Sequence, residues 1–81
     1  MKAHVYVTLK RTVLDPQGQT IHGALKRMQY TGVEEVRQGK YFQLTLREMM
    51  EASDARAEVE RIARDVLTNP VIEEFTYRIE E

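Results

Sequence analysis

The 81 residues contain no cysteine and no tryptophan, and only four glycines and two prolines. Without cysteine there is no disulfide, no thiolate zinc site, no thiol nucleophile and no CxxC motif for redox or metal carriage. No apolar run approaches the ~20 residues of a membrane span. The opening Met1-Lys2-Ala3-His4-Val5 also lacks the apolar stretch of a secretory signal. A soluble, cytoplasmic protein without membrane contact is the expectation. Neither GxxxxGK[ST] nor GxGxxG occurs, which leaves nucleotide binding by this chain without support.

What is present suffices for one small domain over residues 1–81, with 42% apolar and 31% charged residues. At this length folding buries roughly 60% of the unfolded chain's surface. The core is therefore thin, and with no disulfide or metal the remaining common staple is oligomerisation. The net charge of −1 hides an asymmetry: residues 1–40 hold seven Lys/Arg against three Asp/Glu, and residues 41–81 hold five against ten. A fold with a basic and an acidic side suits docking on proteins, or on its own copies, better than coating nucleic acid.

Along the chain, residues 2–10 place Val5, Val7 and Leu9 on one face and His4, Tyr6 and Thr8 on the other, the period of two of a half-buried strand. Asp15-Pro16 then reads as a helix cap followed by a proline at the first helical position. Ile21, Ala24, Leu25 and Met28 recur at helical spacing, and Gly32 offers a left-handed stop, giving a helix over about 16–31. Two short extended runs follow, 33–37 and 40–47, split by Gln38-Gly39, where glycine can supply the positive φ of a tight hairpin. Phe42, Leu44 and Leu46 face the core; Tyr41, Gln43 and Thr45 face away.

Ser53 can cap a second helix whose apolar stripe is Ala55, Val59, Ile62, Ala63 and Val66, and Asn69-Pro70 ends it. A last alternating stretch sets Val71, Phe75, Tyr77 and Ile79 against Ile72, Glu74, Thr76 and Arg78. The order is β-α-β-β-α-β, which predicts an α+β, ferredoxin-like fold, an antiparallel sheet with two helices on one face. Its core would draw on Val5, Val7, Leu9, Ile21, Leu25, Met28, Phe42, Leu44, Leu46, Val59, Ile62 and Val66.

Chemistry is sparse. His4 and His22 lie on different elements, with no hydroxyl that spacing joins to them and no third ligand for a metal. Glu34-Glu35, Glu73-Glu74 and Glu80-Glu81 are adjacent pairs that point to opposite sides of a strand and read as solubilising or edge-protecting charge. Acylphosphatases share this fold class, yet Lys10-Arg11-Thr12-Val13-Leu14 does not resemble their phosphate loop. RNA-recognition domains share the order too, with Tyr6 and Tyr41 in position to stack bases. Gln43 stands where their second stacking ring is wanted, and the slight acidity argues against nucleic acid.

Three motifs in order, Val13-Leu14-Asp15-Pro16-Gln17-Gly18, Gly32-Val33-Glu34-Glu35-Val36-Arg37-Gln38-Gly39-Lys40 and Leu67-Thr68-Asn69-Pro70-Val71-Ile72-Glu73, look like the small PurS-type subunit of phosphoribosylformylglycinamidine synthase. They cover almost the whole chain. Thr12 departs from the glycine the family often has there, and Met28-Gln29-Tyr30 from its more usual Leu-Gly-Tyr.

The resemblance implies a step of purine biosynthesis. An ATP-dependent synthetase subunit, using ATP and Mg, converts formylglycinamide ribonucleotide to the amidine with ammonia from a glutaminase subunit. The small subunit would carry no catalytic residue, cofactor or metal. It would bridge the PurL-type synthetase and PurQ-type glutaminase, assist ammonia transfer, and self-associate to a dimer or tetramer.

The residues expected to meet partners are Asp15, Pro16, Gln17, Gly18, Arg37, Gly39, Lys40, Asn69 and Pro70. Asp15-Pro16 fixes a helix start with free N–H groups. Gly18 costs roughly 1 kcal/mol against alanine inside a helix, so a close backbone approach is one reason for it. Arg37 and Lys40 are charges that turn geometry does not require, and Arg37→Ala or Lys40→Ala is expected to weaken assembly while sparing the fold. The competing reading from another class is a ferredoxin-like regulatory module that binds a small ligand at a dimer interface.

Overall fold

The computed structural model describes residues 1–81. It comprises β1 (Lys2–Leu9), α1 (Pro16–Arg27), β2 (Gly39–Thr45), α2 (Ala52–Ile62) continued by a π-helical turn (Ala63–Leu67), and β3 (Glu73–Glu80). The sheet is antiparallel in the order β2-β1-β3. β1 takes the centre because it is the most apolar strand: Ala3, Val5 and Val7 are fully buried. Register then sets the core, with Ala3 between Leu44 and Ile79, and Val5 between Phe42 and Tyr77. Against these lie Ala55, Val59 and Ala63 of α2 and its continuation.

This is the ferredoxin-like α+β class, an antiparallel sheet with two helices, and its second strand position departs from regularity. Residues 33–37 are irregular and pair with no strand of this chain. Three strands spaced ~4.8 Å apart offer little more than the ~10 Å width of a single helix. α2 fills that width. α1, expected to share the face, contributes no residue to the core, and Ile21 and Met28 are 41% and 65% exposed. The radius of gyration is 16.1 Å, where a compact chain of this size has about 12 Å. The extents of 50 × 26 × 14 Å describe an elongated slab.

Two helix details also differ from the pattern read in the sequence. α2 starts at Ala52 after Glu51, one residue before the expected Ser53 cap. At its far end the π turn adds a residue, so Leu67 joins the core and Val66, placed there by ideal helical spacing, is 73% exposed. The Thr68 hydroxyl donates to the carbonyls of Ala63 (2.9 Å) and Arg64 (3.1 Å), satisfying groups the turn leaves without partners. Val71 and Ile72 precede β3 in a turn, so the last strand begins at Glu73.

α1 ends in a Schellman motif at Gln29, before Gly32. Tyr30 N–H donates to Leu25 O (2.9 Å), and Gln29 N–H to Lys26 O (3.0 Å), with Gln29 at φ 70°. This is the position where the resembled family often has glycine. Gln29→Gly is expected to raise stability by about 1 kcal/mol by removing the left-handed penalty, read as a higher urea midpoint with unchanged slope.

Candidate functional site

The three motifs meet at one end of the sheet, where β1 finishes and β2 and β3 begin. Asp15, 4% exposed, organises this end. Its Oδ1 accepts from Gly18 N–H (3.0 Å), capping α1, and its Oδ2 accepts from Gln38 N–H (2.7 Å), tying the start of β2 to the same carboxylate. These two N–H groups, Gly18's first, hold the Asp15 carboxyl below the ordinary 3.8, aided by the nearby Arg37 charge and opposed by burial.

Both glycines at this end serve close approach by the chain's own backbone. A Cβ on Gly18 would stand 2.2 Å from Val36 O, and one on Gly39 would stand 2.4 Å from Val7 O. Neither has a positive φ, so the tight hairpin turn expected at Gln38-Gly39 does not form. The absent Cβ instead lets β2 lie against β1.

Arg37 is spent internally. Its Nη2 group donates to the carbonyls of Leu9 (3.4 Å), Lys10 (3.0 Å) and Val13 (3.1 Å), gathering the loop between β1 and α1 around one guanidinium. The expectation that Arg37 can be removed without touching the fold is therefore corrected. The same bonds, with those of Asp15, pin residues 36–38 to the loop and explain why 33–37 is not drawn into the sheet.

Asn69 and Pro70 build the turn before β3. The Asn69 carbonyl accepts from Ile72 N–H (3.1 Å) and Glu73 N–H (2.8 Å), and its Oδ1 accepts from Val71 N–H (3.1 Å). Lys10 N–H donates to Ile72 O (2.8 Å), joining this turn to the end of β1. Glu73 Oε1 accepts from Asn69 N–H (2.7 Å), while its Oε2 pairs with Lys40 Nζ at 3.3 Å. The Asn69 N–H, then Lys40, draws the Glu73 carboxyl below the ordinary 4.5, with burial opposing.

Between these groups lies a cleft of about 230 Å³, walled by the end of β1 and by Asp15, Gln17, Gln38, Gly39, Lys40 and Glu73. That is below the ~300–1,000 Å³ of small-molecule sites. Of the expected residues, Asp15, Gln17, Gly39 and Lys40 line the cleft; Gly18, Arg37 and Asn69 are bonded to lining residues; Pro16 opens α1 and Pro70 lies in the turn before β3, both outside the lining. Gln38 and Glu73 belong to it and were not singled out in the sequence. For Glu73 the signal was its parity with Phe75, Tyr77 and Ile79, which puts it on the helix-bearing side of the sheet end.

The histidines lie elsewhere. His22 Nε2 donates to Val33 O (2.8 Å), and His4 contacts Tyr41 and Glu80 on the open sheet face. No three His, Cys, Asp or Glu residues group as metal ligands, and no helix is long and apolar enough to cross a membrane.

Comparison with known proteins agrees with this architecture. The family model described as PurS, phosphoribosylformylglycinamidine (FGAM) synthase, matches residues 2–81. The PurS subunit of phosphoribosylformylglycinamidine synthase from Bacillus subtilis (strain 168) is 44% identical over 82 residues, covering 99% of this chain and 93% of that protein. The crystal structure of Methanocaldococcus jannaschii PurS superposes with a TM-score of 0.86 at 34% identity, over 99% of this chain and 95% of that one. A chain in the structure of PurLQS from Thermotoga maritima gives 0.85 at 31% identity, over 95% and 93%. The match along nearly the whole length, with the three motifs gathered at one end of the fold, places this chain in the PurS family as an accessory subunit of FGAM synthase.

Proposed function

We propose that this chain bridges a glutaminase subunit and an ATP-dependent synthetase subunit of FGAM synthase, and that it assists the passage of ammonia between them. ATP and Mg²⁺ are used by the synthetase subunit. The observation that carries the reading is the convergence of all three motifs on one braced end whose cleft offers Lys40, Gln17 and Gln38 to a partner. The likeness to a chain of the Thermotoga maritima PurLQS structure supports the choice of partners.

The Lys40 side chain is 57% exposed, and Glu73 keeps its bond from Asn69 N–H when Lys40 is removed, so the loss costs the fold about 1 kcal/mol. Lys40→Ala removes that charge from the cleft mouth. It is expected to weaken binding to the synthetase or the glutaminase by about tenfold, or ~1.4 kcal/mol, with little change in melting temperature. Unchanged affinity for both partners would remove the cleft from the interface.

Self-association is part of the same reading. The groove between β2 and α2, about 660 Å³ and lined by Leu44, Leu46, Met50 and Ile62, lies where the fold's second helix is missing. α1 carries the matching unpartnered stripe of Ile21, Leu25 and Met28 but projects away from its own sheet. α1 of a second copy fits that groove, and exchange in both directions buries both faces. Ile21→Glu is expected to shift the sedimentation coefficient to that of the single chain; an unchanged oligomer would contradict this packing.

A further inference from the structure

The sheet face opposite α2 carries a linked chain of side chains that lies outside the cleft. His4, on β1, has a side chain only 9% exposed, with Nε2 3.2 Å from Glu80 Oε1 and Nδ1 bonded to the Tyr41 hydroxyl. A carboxylate only accepts, so the proton of neutral His4 resides on Nε2, facing Glu80. Nδ1 is then left with a lone pair, and the Tyr41 O–H donates to it. The phenol is thus bonded to a base whose tautomer is fixed by a third group, the arrangement that activates hydroxyl nucleophiles. Tyr41 is 52% exposed, so its oxygen remains open to a reagent while the base behind it is shielded.

The surroundings keep the relay in this state. From β3, Arg78 lies directly opposite His4, and the bond from His4 holds the Glu80 carboxyl below its ordinary 4.5. From β1, Lys2 and Tyr6 flank His4 on the same face. From β2, Gln43 stands opposite, and its Oε1 is 3.5 Å from the Tyr41 oxygen, a weaker acceptor than the imidazole.

We propose that Tyr41 is an activated phenol at which this chain accepts an acyl group from activated acyl donors, with His4 as the base and Glu80 as its positioning residue. In the step, Tyr41 Oη forms a bond to the acyl carbon, the bond from that carbon to the leaving group breaks, and the phenolic proton passes to His4 Nδ1. The leaving group departs with the electron pair and takes up a proton from solvent or from His4. No oxidant or metal is required.

The test uses the full chain and N-acetylimidazole, with acetylation of each tyrosine followed by peptide mass mapping. Tyr30, 56% exposed and outside every side-chain hydrogen bond of the structure, is the internal control for exposure. Tyr41 is expected to react at least ~10-fold faster than Tyr30, a threshold below the ~10²–10⁴-fold that a positioned general base supplies. His4→Gln should bring the ratio to about one. Glu80→Arg, which places only donors beside Nε2 and forces the proton to Nδ1, should lower it as well. A Tyr41 rate no greater than that of Tyr30 in the unsubstituted chain overturns the proposal, as does a ratio unchanged by His4→Gln.

Discussion

Gly18→Ala is expected to destabilise the chain by about 1–3 kcal/mol, the range for forcing an extra carbon into a packed site. Helix propensity alone predicts the opposite sign, a gain of ~1 kcal/mol for alanine within a helix. The difference arises at the added Cβ, which would lie 2.2 Å from Val36 O and 2.8 Å from Asp15 Oδ2. Neither atom moves freely. Val36 precedes Arg37, whose guanidinium is held by three carbonyls, and Asp15 is bonded to two backbone N–H groups. Relief therefore requires the start of α1 to leave the 36–38 segment, which opens the cleft as well. Equilibrium denaturation measures the effect, and a variant more stable than the parent would show that the close approach is not a constraint.

Arg37→Ala is the second large effect, and it acts on the same end of the molecule by a different route. The side chain gathers Leu9, Lys10 and Val13 carbonyls through charge-assisted hydrogen bonds, a type worth ~1.5–3 kcal/mol when the donor is charged. Alanine leaves those carbonyls to find water in a half-buried loop and frees residues 36–38 from one of their two anchors. A loss of about 2–3 kcal/mol is expected. Faster amide exchange should appear at Val13, whose N–H closes the turn onto Lys10 O. Binding to the partner subunits should weaken as a consequence of the loosened cleft. A variant with parental stability and weakened binding would instead place Arg37 at the interface directly.

Much of the framework could be read from residue pattern, and the reasons for the rest are specific. The alternation of Ala3, Val5 and Val7 and the helical spacing of Ala55, Val59 and Ala63 identify the two layers of the core, because burial on one face leaves that period in the sequence. Asp15-Pro16 marks the start of α1 for the same local reason. The stripe of Ile21, Leu25 and Met28 was equally legible as a stripe. Periodicity reports that a face is apolar and not what covers it, so its assignment to this chain's own core went astray. Val66 was misplaced by one position because a π turn inserts a residue without any sequence mark. Residues 33–37 have strand-like alternation, but bonds from Asp15 and Arg37 to and from backbone atoms hold the end of the segment elsewhere, and backbone carbonyls are invisible to a reading of side chains.

At the site, resemblance identified the motifs and the coordinates assign their duties. Gly18 and Gly39 were expected to admit a partner or a turn; they admit Val36 and Val7 carbonyls. Lys40 alone of the two expected basic contacts keeps an exposed charge at the cleft. Glu73, read as one of a solubilising pair, is instead the acceptor that joins Lys40 to the Asn69 turn.

The proposed role is transfer between two other subunits, so it is tested by synthetase turnover of the synthetase and glutaminase subunits, with and without this chain, driven first by glutamine and then by an ammonium salt. Glutamine-driven turnover is expected to depend on the chain, while ammonium-driven turnover is largely independent of it. Glutamine-driven turnover that is the same in its absence, with no ternary complex formed in its presence, would rule out the bridging role.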